Sequence, residues 1–135
     1  MKEPIIAFKD EEQLKEYGKM WQDILYLNDW IIKYILVDNI DNDSLGNNKN
    51  VFIHKTALIK ILKNISNDEF ITPCAEKVLI HELLHCKFEV ENERPQIEDL
   101  LYEETQHQDL EFMARSLLRA KYNLSKEWFK NWSDE

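Results

Sequence analysis

Glycine and proline are nearly missing from this chain of 135 residues, which has two of the first and three of the second. So few turn residues leave little room for a sandwich of many short strands. Only two cysteines occur, Cys74 and Cys86. Both fall in one expected helix, where a ~1.5 Å rise per residue sets them about 18 Å apart. A disulfide needs Cα atoms within ~7 Å, so two buried thiols in a reducing cytoplasm are expected instead. No run approaches the ~20 apolar residues of a membrane helix. The opening MKEPIIAFKDEEQ has no apolar core of a secretory signal. The expected location is the cytoplasm, with no membrane contact. Positive charge is short as well: 17 Lys and Arg stand against 26 Asp and Glu, a formal net charge of -9. A phosphate-gripping surface needs the opposite balance, so no nucleic acid is expected as a partner, although a local basic patch is compatible with these numbers.

What is present points to a globular α+β chain. The composition is 44% hydrophobic and 32% charged, and the length suits one domain, 1–135. Leu14, Tyr17, Trp21, Ile24 and Leu25 recur at helical spacing and predict an amphipathic helix over about 11–26. WIIKYILV (30–37) is β-branched and aromatic, and predicts a strand buried on most of both faces. DNIDNDSLGNNKN (38–50) reads as a loop. Its Asp38, Asp41 and Asp43 imitate a calcium loop, but counting from Asp41 puts Phe52 where the closing glutamate belongs. VFIHKTALIKILKN (51–64) predicts one or two strands. Thr72 as N-cap, Pro73 at the first helical position and Glu76 in the first turn predict a helix over about 73–88. A long helix is expected over 97–121 and a short closing one over 125–132.

HELLH lies at residues 81–85 on the second of these helices. There are only four histidines, and chance produces this pentapeptide in about one per cent or fewer of chains this long. Positions i and i+4 share a helix face, so His81 and His85 can offer two imidazole nitrogens to one Zn²⁺. Glu82 is rotated away from the metal and suits a general base acting on a zinc-bound water. Leu83 and Leu84 bury the opposite side of the helix.

Catalytic zinc takes three protein ligands. On the helix over 97–121, Leu110, Met113, Ala114, Leu117 and the stem of Lys121 form an inward stripe that His107 extends. His107 is therefore the favoured third ligand. Glu103, Glu104, Asp109 and Glu111 are the alternatives, with Glu103 or Glu104 first among them. Glu103 and Glu111 lie one turn either side of His107, where either could accept its other ring N–H. His54 and Tyr102 are candidates for stabilising an oxyanion, and part of 51–63 is a candidate strand for pairing with an extended substrate.

KVLIHELLHCKFEV, followed about twenty residues later by HQDLEFMARSLL, resembles the zincin metallopeptidases. It is most similar to small metallopeptidases encoded by phages and prophages, and more distantly similar to SprT-like proteins. The resemblance covers most of the chain, but only HELLH is specific. It implies a minimal zincin-like fold: N-terminal helix, small mixed or antiparallel sheet, HExxH helix and long C-terminal helix. It also implies His81, His85 and His107 as zinc ligands, Glu82 as catalytic base, and a bacterial host cell as the setting. The chain departs from SprT-like proteins in its His-to-Phe spacing, in having no cysteine zinc ribbon and in its acidity, so the DNA-linked role of that group is not carried over.

The expected function is a zinc-dependent hydrolase acting on peptide bonds of a peptide or protein substrate. The alternative is a non-catalytic, zinc-stabilised phage accessory or protein-interaction domain, which a fully protein-occupied coordination shell would favour. A helical interaction module without metal is the third reading. Substrate and oligomeric state have no signal in the sequence.

Overall fold

The computed structural model describes residues 3–41, 44–65, 73–88 and 99–129, the side chains of 99–106 and of Lys126 excepted. Asp10 starts the first helix, α1 (Glu11–Ile24): its Oδ1 accepts the Gln13 N–H at 2.8 Å. Glu11 and Glu12 stand at the positive end of the helix. The helix stops two residues short of expectation, and Tyr26 takes a left-handed φ of 60° in the turn that follows. Leu14 and Trp21 are buried as expected, whereas Ile24 is 38% exposed. Its place in the core goes to Gln22. Both amide hydrogens of Gln22 are used, on the carbonyls of Leu27 and Trp30 at 3.0 and 3.1 Å, and its oxygen accepts from the Tyr34 hydroxyl at 2.7 Å. A polar residue is tolerated there because its hydrogen bonds close the turn into the sheet.

The sheet has three strands, β1 (Ile31–Val37), β2 (Gly46–Val51) and β3 (Thr56–Leu62), in the order β1-β3-β2. It is mixed: β1 pairs with β3 in parallel and β2 pairs with β3 antiparallel. One expectation needs correction. Residues 46–50 belong to a strand and not to a loop. The GNNKNV segment has little intrinsic strand preference, and its register against β3 gives it the extended form. Residues 51–64 hold the end of β2, a 3₁₀ turn at Phe52–His54 and β3. Because β3 is central and paired on both sides, it has no free edge for a substrate; β1 and β2 are the outer strands, and β2 is the one that starts beside α2.

Nor is β1 buried on both faces. Tyr34 and Leu36 face the helices together with Ile59 and Ile61 of β3, while Ile31 is 74% exposed. The outward face carries Lys33, Lys49 and Lys60, the only charged residues of the three strands.

The HELLH helix, α2, runs Ala75–Phe88, two residues shorter at its start than expected. Pro73 precedes it, and Thr72 lies outside the described residues. The N-terminal arm takes over part of the capping: the N–H groups of Ala75 and Glu76 donate to the carbonyls of Ile6 and Ile5 at 2.8 and 3.0 Å. Glu76 is fully buried. Its carboxylate accepts from the Ile5 N–H at 2.9 Å and from Trp21 Nε1 and the Tyr122 hydroxyl at 2.7 Å each. One side chain thus ties the arm, α1 and the end of the last helix to the start of α2.

The last helix, α3, spans Asp99–Tyr122. Its buried stripe is Leu110, Ala114, Leu118 and Tyr122, at strict i, i+4 spacing. Met113 and Leu117 are only partly buried, and Lys121 is exposed where an inward stem was expected. The expected closing helix is a 3₁₀ turn over Lys126–Trp128, after which Phe129 is 1% exposed; 130–135 lie outside the described residues. Cys74 and Cys86 are both free and buried. Among the described residues no helix is long and apolar enough to cross a membrane.

Candidate metal centre

Two neighbouring stripes of α2 build the site. Lys77, His81 and His85 follow one another at i, i+4 and i+8, and Val78 and Glu82 run beside them. Leu83 and Leu84, at 0% and 2% exposure, hold the opposite side of the helix in the core as expected. α3 crosses α2 and brings His107 opposite the pair. The three imidazole rings stand 4.7 to 5.5 Å apart, centroid to centroid. One ring nitrogen from each of His81, His85 and His107 lies within 4.8 Å of the others.

His81 Nε2 lies 3.3 Å from His107 Nδ1. Two nitrogens bound to one tetrahedral zinc at ~2.0–2.1 Å are about 3.3 Å apart. The three imidazoles could hold a metal ion, and the His81–His107 pair has the separation of two zinc ligands as well as that of an N–H···N hydrogen bond. His107 is exposed, where an inward position was expected, because among the described residues the buried stripe of α3 begins one turn later at Leu110; His85 is buried.

Glu111 sits behind His81. Its Oε1 is 3.2 Å from His81 Nδ1, and its Oε2 accepts from Lys77 Nζ and, at 3.2 Å, from Arg115 Nε. Of the two acids placed one turn either side of His107, Glu111 meets His81 across the helix crossing, and the side chain of Glu103 lies outside the described residues. Burial alone would raise the Glu111 carboxyl; the hydrogen bond from His81 and the charges of Lys77 and Arg115 outweigh it and hold it down to about 2. A carboxylate fixed at Nδ1 favours the tautomer that leaves Nε2 of His81 as the lone-pair donor.

Glu82 is 8% exposed and lines a cleft of about 260 Å³ together with Ser44, Leu45, Gly46, Lys77, Val78, His81, His107 and Glu111. The cleft runs between the start of β2 and the crossing of α2 and α3. Of the remaining candidates, Asp109 is exposed and outside the histidine group. The side chains of Glu103, Glu104 and Tyr102 are outside the described residues. His54 is exposed in the turn between β2 and β3 and does not line the cleft, which removes it as an oxyanion partner there.

Sequence reasoning missed Lys77, Gly46 and Asn48. Lys77 was legible, since it stands one turn before His81 on the same face. Gly46 and Asn48 were hidden in a stretch whose polar composition resembles a loop. Asn48 Nδ2 donates to the main-chain oxygen of Glu82 at 2.7 Å and lies 3.3 Å from Cys86 Sγ.

No family model, no curated protein and no solved structure matches this chain.

Proposed function

We propose that the chain is a zinc-dependent peptide-bond hydrolase of the zincin kind, with His81, His85 and His107 as ligands and Glu82 as general base. The 3.3 Å spacing of His81 Nε2 and His107 Nδ1 carries this reading. It is the separation two ligands of one zinc need, and it joins residues of two different helices. The cleft supports catalysis over a purely stapling role, because His81, His107 and Glu82 line it together and so bring the base beside two of the histidines.

When bound, zinc would lower the pKa of a water and polarise a carbonyl oxygen. The remaining work falls to the chain. Glu82, whose carboxylate lines the cleft, takes one proton from the attacking water as the water oxygen bonds to the scissile carbonyl carbon. It then returns that proton to the amide nitrogen as the C–N bond breaks. Glu111 keeps the His81 ring in one orientation throughout, and Lys77 and Arg115 keep Glu111 ionised. Residues 44–46, which lead into the edge strand β2, form one wall of the cleft.

Metal analysis of the purified protein and the Glu82→Gln variant test this together. One zinc per chain, retained in Glu82→Gln while hydrolysis of a pooled peptide library is lost, is the expected result. Absence of bound zinc, or an active Glu82→Gln, would overturn the assignment.

A further inference from the structure

Gly46 opens β2 and is one of two glycines in the chain. No glycine here has a positive φ, so the backbone gives no reason for this residue type. In a strand, glycine adds entropy to the unfolded chain and leaves a gap in the packing. The surroundings supply the reason. A Cβ at position 46 would stand 2.5 Å from Cγ1 of Val78, 3.1 Å from Oε2 of Glu82 and 3.2 Å from Cγ of Glu82. Non-bonded carbon atoms settle at ~3.5–4.0 Å, so the Val78 contact forces something to shift, and the Glu82 side chain has to give way as well. Val78 is buried and β-branched, with a stiff χ1, which makes it slow to yield.

Two residues along the same strand face, Asn48 holds the backbone of Glu82 through its 2.7 Å hydrogen bond to the carbonyl oxygen. One edge strand therefore controls Glu82 at both ends. At position 46 a missing side chain leaves room for the carboxylate, and at position 48 an amide fixes the turn of helix that carries it.

We propose that Gly46 and Asn48 are positioning residues that seat the Glu82 carboxylate at the mouth of the cleft. The proposal rests on Glu82 being the base. Proton transfer tolerates little misplacement: a shift of ~1 Å costs on the order of 100-fold in rate. Substitution at either position is expected to reduce turnover and leave the metal in place, because neither residue belongs to the histidine group.

The test uses the full zinc-loaded chain as wild type, Gly46→Ala, Asn48→Ala, the double variant Gly46→Ala with Val78→Ala, and Glu82→Gln. The substrate is a quenched fluorogenic peptide selected from a pooled library with the wild type. Gly46→Ala should keep its zinc and a KM within about twofold while kcat falls on the order of 100-fold. Removing the Val78 methyl groups gives the new Cβ somewhere to go, so the double variant should recover most of the kcat. Asn48→Ala adds no atoms and keeps the question open to measurement if Gly46→Ala does not fold. A wild-type kcat in both single variants, or activity lost only in step with zinc, would overturn the proposal. A second readout does not need activity. The ¹³C carboxyl signal of Glu82, assigned by its absence in Glu82→Gln, should move in Gly46→Ala and Asn48→Ala and return in the double variant. If the zinc-loaded wild type cleaves no peptide, the functional reading fails on that result alone. The carboxyl signal then decides the positioning claim, and an unmoved signal sinks it.

Discussion

The carboxylate of Glu111 meets the imidazole of His81 across the crossing of two helices, Oε1 to Nδ1 at 3.2 Å. That contact selects which nitrogen of His81 faces His107. Glu111→Gln should therefore weaken zinc binding by about 10- to 100-fold, the usual effect of removing a carboxylate behind a metal-bound histidine. Competition with a chromophoric chelator measures it. Unchanged affinity would mean that Glu111 serves only the ion pairs with Lys77 and Arg115.

Gly18 gives a prediction whose sign opposes helix propensity. Alanine in a helix interior is ordinarily better than glycine by ~0.8–1.0 kcal/mol. Here a Cβ would come within 2.3 Å of the Tyr34 ring, which is itself held by Gln22. Overpacking of that kind costs about 1–3 kcal/mol, so Gly18→Ala should destabilise the fold. Urea unfolding gives the sign directly, and a more stable variant would show that α1 can slide over the sheet.

Glu76 is buried and accepts three hydrogen bonds from neutral donors. Glu76→Ala strands the indole of Trp21, the hydroxyl of Tyr122 and the Ile5 N–H. Each buried group left unpaired costs roughly 1–3 kcal/mol. The variant should lose several kcal/mol of stability, or fail to fold, with a change in Trp fluorescence on thermal melting. Wild-type stability would show that water or rearrangement replaces the carboxylate.

Cys74 predicts the alkaline limb of the stability profile. Burial pushes its thiol up from 9.0 to about 12, against a smaller lowering by the Lys77 N–H. A raised folded pKa means that the native state holds the proton longer than the unfolded chain does. Its contribution is complete below pH 9 and disappears as the pH rises through 9 to 12. Burial also raises the Tyr34 and Tyr122 hydroxyls, which extend the same trend above pH 10. Denaturant midpoints should fall between pH 9 and 10, and Cys74→Ala should flatten that first part of the slope. Rapid reaction of the native thiol with a disulfide reagent at pH 8 would contradict this.

HELLH was legible because its chemistry is local. The i, i+4 relation of His81 and His85 needs only a helix, and the apolar Leu83 and Leu84 supply a reason for that helix to be anchored. His107 was legible to a lesser degree, through the stripe it shares with Leu110 and Ala114. The lysine face of the sheet and the burial of Gln22 were not, since alternation along one strand does not say which face a helix will cover.

By itself, the sequence determined the α+β class, the helix that carries two ligand-type histidines and a glutamate, and the acidity of the whole. These follow from periodicity and composition, which act over a few residues. Tertiary structure alone decided that 46–51 is a strand, that Glu111 serves His81 and not His107, and that Gly46 stands against Glu82. The strand pairs residues five to fifteen positions apart, and the other two contacts join residues thirty and thirty-six apart. Such contacts arise from the packing of a sheet edge and two crossing helices around one core, and no local pattern along the chain encodes that crossing.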